Sequence, residues 1–142
     1  MHIVFGGAFN GKRQFVRNLI AGRDVEWHDG ELLVAAGNSA VIAGMEKWVK
    51  RQLQQRATEQ IIMEQIKQLA EFQKSGTHIW ILTDMNRGIV PVDPIERELR
   101  DIIGRIYQYL FAEAEQITRI WYGIPQTLKG GDSDENIHEN GR

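Results

Sequence analysis

The residues between positions 6 and 13 have the types and spacing needed to bind the phosphate groups of a nucleotide. They lie between a short apolar run and a helical pattern, and they are Gly6, Gly7, Ala8, Phe9, Asn10, Gly11, Lys12 and Arg13. The segment fits the phosphate-binding pattern G-x-x-x-x-G-K. Its glycines would let backbone N–H groups turn toward phosphate oxygens, and Lys12 would reach the outer phosphates as a positive charge. A glycine-rich turn between a strand and a helix, without a ligand, is the other interpretation.

Two side chains bear on whether this loop also supports Mg²⁺. Position 13 is an arginine, whereas active members of this class have a Ser or Thr hydroxyl there that helps hold the metal. A guanidinium offers only hydrogen-bond donors and cannot hold a cation. Asp84 follows an apolar run at residues 78–82, so it is expected at the C-terminal end of a strand, where open α/β sheets bind ligands. Asp84 could bind Mg²⁺ directly or through water, or it could simply form a turn.

A third set of candidate residues lies on a helix that is expected to begin at Pro94. Asp93 can cap this helix, and proline suits the first helical position. At ~100° per residue, apolar side chains share one face. The opposite face carries Arg100, Asp101, Gly104, Arg105 and Gln108. A glycine within a helix costs ~1 kcal/mol relative to alanine, so Gly104 suggests the close approach of a ligand or another chain. The alternative is a solvated face on which Asp101 and Arg105 form an ion pair.

The elements that must position these residues alternate between strands and helices. Apolar runs predict strands at residues 2–5, 32–36, 78–82 and 117–122, and helical spacing predicts helices at residues 12–21, 45–74 and 94–115. The second helical segment is either one helix or two helices broken near residues 56–58, and its Trp48 is a candidate subunit contact. Strands separated by helices predict an α/β protein with three layers and a mainly parallel sheet.

Length and composition exclude several classes of protein. The 142 residues predict one domain over residues 1–129, followed by a polar, glycine-rich tail at residues 130–142 that is expected to be disordered. The chain has 17 Lys and Arg residues and 19 Asp and Glu residues, so it lacks the excess of positive charge that is typical of a nucleic-acid-binding protein. The absence of cysteine excludes disulfides and thiolate metal sites. No apolar run approaches the ~20 residues that span a bilayer, and no signal peptide is evident, so we expect a cytoplasmic protein without membrane insertion.

Three segments together resemble a known family. GGAFNGKR near the N-terminus, TDMNRGIVP after a strand and RDIIGRIYQ on the next helix resemble the bifunctional adenosylcobinamide kinase/adenosylcobinamide-phosphate guanylyltransferase of cobalamin biosynthesis. The resemblance is best over residues 78–129. It implies a P-loop α/β fold related to RecA-like proteins and a homotrimer with active sites near subunit interfaces. It also implies ATP or GTP as phosphate donor, Mg²⁺, and a corrinoid small molecule as the substrate.

The resemblance also implies roles for particular residues. Gly6, Gly7, Gly11 and Lys12 fall on phosphate-binding positions of the family, and Asp84 falls where the family has an acidic residue. The later motifs of the family cover Gly88, Pro91, Arg100, Asp101, Gly104 and Arg105. Lys12 and Asp84 would then be the catalytic residues, with Asp84 as the candidate metal ligand.

The chain also departs from the family pattern. Arg13 replaces the loop hydroxyl, and Asn86 replaces a loop glycine. Only nineteen residues, 13–31, separate Lys12 from the second expected strand, whereas the family is longer there and carries the histidine that becomes guanylylated. His28 is the only histidine of that interval, and its surroundings do not match the family. The carboxylate expected after the strand at residues 32–36 is absent. These departures predict that the guanylyltransferase half is lost and that the kinase half is impaired.

Two functions therefore stay open at the level of the sequence. One is a nucleotide-dependent kinase acting on cobinamide or a related corrinoid alcohol. The other is a non-catalytic partner or regulatory protein that keeps the fold. The intact glycine–lysine loop favours the first, and the two missing metal-supporting positions favour the second.

Overall fold

A computed structural model of the chain describes residues 1–7, 11–32, 39–72, 77–85 and 92–130. In chain order the elements are β1 (His2–Gly6), α1 (Lys12–Leu19), β2 (Glu26–Asp29), β3 (Ser39–Ala43), α2 (Met45–Gln54), α3 (Glu59–Phe72), β4 (Thr77–Thr83), α4 (Pro94–Glu113), β5 (Gln116–Trp121) and β6 (Ile124–Lys129). The tail at residues 131–142 lies outside the described residues, so its expected disorder and the single-domain boundary stay predictions.

The six strands form one mainly parallel sheet in the order β2-β3-β4-β1-β5-β6. β1 lies inside the sheet and pairs in parallel with both β4 and β5. β3 is parallel to β2 and β4, whereas β5 and β6 are antiparallel and joined by a tight turn. The predicted α/β class and mainly parallel sheet are confirmed.

Apolar residues on the two faces of the sheet form two separate cores. On one face Val16 and Ile20 of α1 pack against Val4, Ile79 and Ile120. On the other face α2, α3 and α4 cover Ile3, Ile42, Trp80, Leu82 and Ile117. Successive side chains of a strand point to opposite faces, so β1 and β4 each contribute to both cores. Helices on both faces give the three layers expected from the sequence.

The predicted helices correspond closely to the observed ones. The segment at residues 45–74 contains two helices, and the break between α2 and α3 includes Arg56 with φ of 65°. Asp93 caps α4 as expected, since its Oδ1 accepts a hydrogen bond from the Ile95 N–H at 3.0 Å. Glu96, in the first turn of α4, forms an ion pair with Lys50 of α2 at 2.6 Å. α4 ends at Glu113, two residues before the predicted end.

The expectation for Trp48 is wrong, and the expected strand at residues 32–36 is not tested by the described residues. The expected strand at residues 32–36 begins with Leu32, which lies outside any strand, and its other residues lie outside the described part of the chain. In the described structure, β2 ends before this segment and β3 begins after it. Trp48 is only 8% exposed and packs within the larger core, so it is not a subunit contact.

The half-buried His2 predicts a pH dependence of stability. Its Nε2 lies 2.8 Å from the Thr118 hydroxyl, and burial, assisted by the positive N-terminus, lowers the pKa of His2 from 6.5 to about 4. Between these values the unfolded chain binds a proton that the folded chain does not. The contribution of His2 to the free energy of unfolding is therefore fully present above pH 6.5 and is lost as the pH falls toward 4. His2→Gln should flatten this part of the profile of melting temperature against pH, and parallel profiles for the two proteins would contradict the assignment.

Candidate functional site

The carboxyl ends of three neighbouring strands carry the candidate site. Lys12 follows β1, Asp84 follows β4 and Glu46 follows β3, and these strands are adjacent in the order β3-β4-β1. Parallel strands present their carboxyl ends at one edge of a sheet, which is where ligands of such sheets bind. The sequence predicted Lys12 and Asp84 at this edge but did not identify Glu46.

The two ends of the glycine loop have the backbone geometry that the pattern requires. A Cβ atom on Gly6 would lie 2.6 Å from the backbone oxygen of Ile120 on β5, so only glycine fits at the end of β1. Gly11 has φ of 86° and is the N-cap residue of α1. Such a positive φ favours glycine. The intervening Ala8, Phe9 and Asn10 lie outside the described residues, so phosphate binding by their backbone stays a prediction.

Lys12 is buried at the start of α1 and directed into the loop. Its side chain is only 7% exposed, and its Nζ donates a hydrogen bond to the carbonyl oxygen of Gly7 at 2.6 Å. Burial lowers the pKa of Lys12, because the charged form loses hydration, while the negative charge of Glu46 acts in the opposite direction. Among the described groups, the Gly7 carbonyl is the one that accepts a hydrogen bond from this ammonium, and it is uncharged.

Arg13 forms an ion pair at the end of β2. Its guanidinium lies 3.2 Å from Oδ2 of Asp29, and Lys47 of α2 approaches Oδ1 of the same carboxylate at 3.5 Å. All three side chains are substantially exposed, so the pairs add little stability. Arg13 thus connects α1 to β2 in this structure, and its positive charge also acts on Lys12, whose pKa it lowers in addition to the larger effect of burial.

Asp84 is fixed beside the beginning of the loop. Its backbone N–H donates to the carbonyl oxygen of Gly6 at 2.8 Å, which continues the pairing of β4 with β1 by one residue. The half-buried side chain lies near Tyr107 of α4, whose hydroxyl donates to the Thr83 carbonyl at 2.7 Å. Burial is the largest cause that raises the pKa of Tyr107, and the charges of Glu46 and Asp84 raise it further. Tyr107 therefore stays protonated between the two carboxylates.

A cleft of about 260 Å³ adjoins Asp84 on the α4 side of the sheet. Its walls combine aromatic and apolar side chains with a few polar groups, namely Phe5, Asp84, Met85, Arg100, Ile103, Gly104, Tyr107, Gln108 and Phe111. Phe5 packs edge-on against Phe111 with ring centroids 5.2 Å apart, which gives the cleft a firm base. Apolar walls with a few polar groups are typical of small-molecule sites. Arg100 and Gly104 thus line the same cleft as Asp84.

Asp101 and Arg105, which also belong to the later motifs, do not line this cleft. Arg105 binds Glu59 of α3 through Nε–Oε2 at 2.5 Å and NH2–Oε1 at 2.8 Å, so the expected ion pair with Asp101 is replaced by a bond between helices. Asp101 is exposed and does not line the cleft. Gly88 and Pro91 lie outside the described residues.

The described residues contain no group of three or more His, Cys, Asp or Glu side chains that could hold a metal ion by themselves. Within the same residues, none of the helices is both long and apolar enough to cross a membrane.

A parallel sheet with a glycine–lysine loop after an interior strand is typical of the P-loop class of nucleotide-binding proteins. The model of the cobinamide kinase / cobinamide phosphate guanyltransferase family matches residues 29–128, and the chain belongs to this family. The matched segment includes Glu46, Asp84 and the polar face of α4, whereas the glycine loop precedes it. No curated protein matches the chain. Family membership confirms the resemblance and the P-loop fold class, and it connects the protein to nucleotide-using, kinase-like chemistry of cobalamin biosynthesis.

The open space at Gly104 generates a matched pair of predictions. A Cβ atom at Gly104 meets no described atom within 4 Å, whereas one at Gly6 meets the Ile120 carbonyl at 2.6 Å. Gly104→Ala should raise the free energy of unfolding by roughly 0.5–1 kcal/mol, because alanine favours the helix. Gly6→Ala should lower it. Urea unfolding measures both changes, and a loss of stability in Gly104→Ala would contradict the open geometry.

Proposed function

We propose that the protein binds ATP or GTP at its glycine–lysine loop and acts as an adenosylcobinamide kinase-like phosphotransferase. The observation that carries this proposal is the burial of Lys12 at the carboxyl end of β1, with its Nζ held 2.6 Å from the Gly7 carbonyl. A cation costs free energy to bury unless it has a functional or structural partner. The outer phosphates of a nucleotide offer a stronger, charge-assisted partner than the carbonyl.

The chemistry follows from this position. The acceptor hydroxyl oxygen forms a bond to the γ-phosphorus while the bond from that phosphorus to the β–γ bridging oxygen breaks, and the hydroxyl proton passes to water. Lys12 stabilises the charge on the transferred phosphoryl group and on the departing nucleoside diphosphate. Mg²⁺ would neutralise further phosphate charge, and the donor chemistry present fits it, since carboxylate oxygens adjoin the loop at Asp84 and Glu46.

The acceptor is proposed to use the cleft beside Asp84. Its volume of about 260 Å³ suits the hydroxyl-bearing arm of a corrinoid rather than a whole corrinoid, so the bulk of such a substrate would remain outside. Arg100 and Gln108 offer hydrogen-bond donors to carbonyl groups of the substrate, and Asp84 offers an acceptor. The open space at Gly104 leaves room for the arm.

The guanylyltransferase half is proposed to be absent. That activity requires a nucleophilic histidine in the family, and His28 is the only histidine between Lys12 and Glu31. His28 lies in β2, where its Nε2 is 3.4 Å from the Glu26 carboxylate. A carboxylate neighbour on a short strand differs from the helical setting that the family implies.

The expected cytoplasmic location stays a prediction.

A non-catalytic partner or regulatory protein is the second candidate. The observation that favours it is Arg13, which engages Asp29 and offers no oxygen for a metal. Turnover separates the two candidates, because both predict nucleotide binding. Mg²⁺-dependent phosphoryl transfer from ATP or GTP to cobinamide above background would establish the kinase, and saturable nucleotide binding without transfer would establish the partner.

Lys12→Ala should weaken nucleotide binding by about tenfold or more, because charge-assisted hydrogen bonds to the phosphates are lost. Calorimetric titration with ATP and GTP measures the change, with Lys67→Ala on α3 as the matched control.

Arg13→Ser restores the loop hydroxyl and should increase Mg²⁺-dependent turnover if the protein is a kinase limited at this position. Unchanged nucleotide affinity in both Lys12→Ala and Arg13→Ser would show that the loop is only structural.

The protein is also proposed to form a homotrimer through the β5–β6 hairpin. Trp121, Tyr122, Ile124 and Leu128 are exposed apolar residues of this hairpin. The hairpin turn adjoins the glycine loop, since a Cβ atom at Gly11 would lie 3.4 Å from the Gly123 Cα. An interface here would lie beside the nucleotide site. Sedimentation equilibrium should therefore show species larger than the 16.3 kDa chain.

Tyr122→Asn tests this interface without disturbing the fold. Tyr122 is 76% exposed and has φ of 50°, a conformation that asparagine adopts more easily than tyrosine. The variant should keep or raise the melting temperature of the monomer and shift the association equilibrium toward 16.3 kDa. A wild-type protein that sediments only as a monomer would overturn the trimer, and an unchanged trimer in the variant would place the interface elsewhere.

A further inference from the structure

Glu46 occupies a position at the candidate site that the sequence patterns did not assign. It is the second residue of α2 and follows β3 after Gly44 and Met45. β3 is the neighbour of β4, and β4 is the neighbour of β1. Glu46, Asp84 and Lys12 therefore follow three consecutive strands at the same edge of the sheet.

One oxygen of the Glu46 carboxylate has no partner within the described structure. Its Oε1 is buried, and no described group donates a hydrogen bond to it. A buried polar atom without a hydrogen bond costs free energy, roughly 1–3 kcal/mol and more for a charged group. Native structures rarely keep such an atom, and an unfilled ligand position is one reason to keep it.

The carboxylate lies close enough to the candidate nucleotide site to act electrostatically on its residues. Its negative charge raises the pKa of Lys12 against the effect of burial. The same charge raises the pKa of Tyr107, whose hydroxyl lies beneath Asp84 and donates to Thr83. Glu46 is thus within electrostatic reach of the loop lysine and of the residues around the second carboxylate.

We propose that Glu46 is the carboxylate that holds the divalent cation accompanying the nucleotide, in place of the hydroxyl that position 13 lacks. Mg²⁺ is usually bound by one or two carboxylates together with substrate phosphates and water, so a complete protein cage is not required. The described residues contain no such cage. The unpartnered Oε1 supplies one oxygen ligand, directly or through water, and the phosphates supply others. The proposal rests on nucleotide binding at the loop.

The test compares nucleotide affinity with and without Mg²⁺. ATP is titrated by calorimetry into wild type, Glu46→Gln and the control Glu98→Gln, which removes an exposed carboxylate on α4. Wild type and the control should bind ATP more tightly in Mg²⁺ than in EDTA. Glu46→Gln should lose about tenfold of affinity in Mg²⁺, as for removal of a metal-supporting group. In EDTA it should bind ATP equally or more tightly, because a negative charge near the phosphates is removed.

Each other outcome has a defined meaning. Equal shifts of affinity in Mg²⁺ and in EDTA would make Glu46 only a counter-ion of Lys12 and would overturn the proposal. Absence of ATP and GTP binding in wild type would overturn the proposed function and this inference with it. Electron paramagnetic resonance of Mn²⁺ in the presence of ATP provides a second readout. The signal of protein-bound Mn²⁺ should be weaker in Glu46→Gln than in wild type. Should Glu46→Gln fail to fold, Glu46→Asp keeps the charge on a shorter side chain, and unchanged Mn²⁺ affinity in that variant would overturn the proposal.

Discussion

The position of β1 between β4 and β5 is the constraint on which the rest of the site depends. β1 has only five residues, and parallel partners hold it on both sides. At its last residue the Ile120 backbone approaches so closely that only glycine fits. The pairing continues past the strands, because the Asp84 N–H binds the Gly6 carbonyl. The chain must therefore leave the sheet at Gly6 with Asp84 beside it, which fixes the start of the loop relative to the second strand end.

The burial of Lys12 follows from that exit. α1 begins immediately after Gly11, so the Lys12 side chain turns back beneath the loop toward Gly7. The cost of removing an ammonium from water is partly offset by the Gly7 carbonyl and by the charge of Glu46. The carbonyl is uncharged, and the described structure has no close ion pair between Lys12 and Glu46. Anion binding would relieve this imbalance, which is the physical reason to interpret the arrangement as a ligand site and not as a stabilising feature.

Sequence patterns predicted the elements whose signals are local and strong. β1, β4, β5 and α4 combine clear apolar periodicity with turn or capping residues, and Asp93 caps α4 as the sequence suggested. β2 was not predicted, because Glu26–Asp29 is short, mixed in polarity and placed at the sheet edge. β6 was not predicted either, since its residues are exposed and its pairing depends on the turn before it. Such strands are specified by their partners more than by their own composition.

The same limit explains why Glu46 was missed. A carboxylate was expected after the second strand, and the apolar run at residues 32–36 predicts that strand in a segment that contains no carboxylate. Electrostatic contact with Lys12 and Tyr107 depends on strand order, which no local pattern contains. Arg105 illustrates a related error, since α3 supplies Glu59 as a closer partner than the residue four positions earlier. Contacts between elements were the part that the sequence could not determine.

The placement of Glu46 changes the balance between a kinase and a non-catalytic relative. The argument for lost catalysis rested on two missing metal-supporting groups, the loop hydroxyl and the carboxylate after the second strand. The strand directly before α2 is β3, and Glu46 follows it within three residues with one buried carboxylate oxygen that no described group hydrogen-bonds. If Glu46 holds the cation as proposed, only the hydroxyl is missing, and Mg²⁺ tolerates replacement of one ligand by water more readily than loss of all anionic ligands. Arg13 pairs with the exposed carboxylate of Asp29 in this structure. The physical case against phosphoryl transfer therefore reduces to one position, and the kinase becomes the better-supported function of this site.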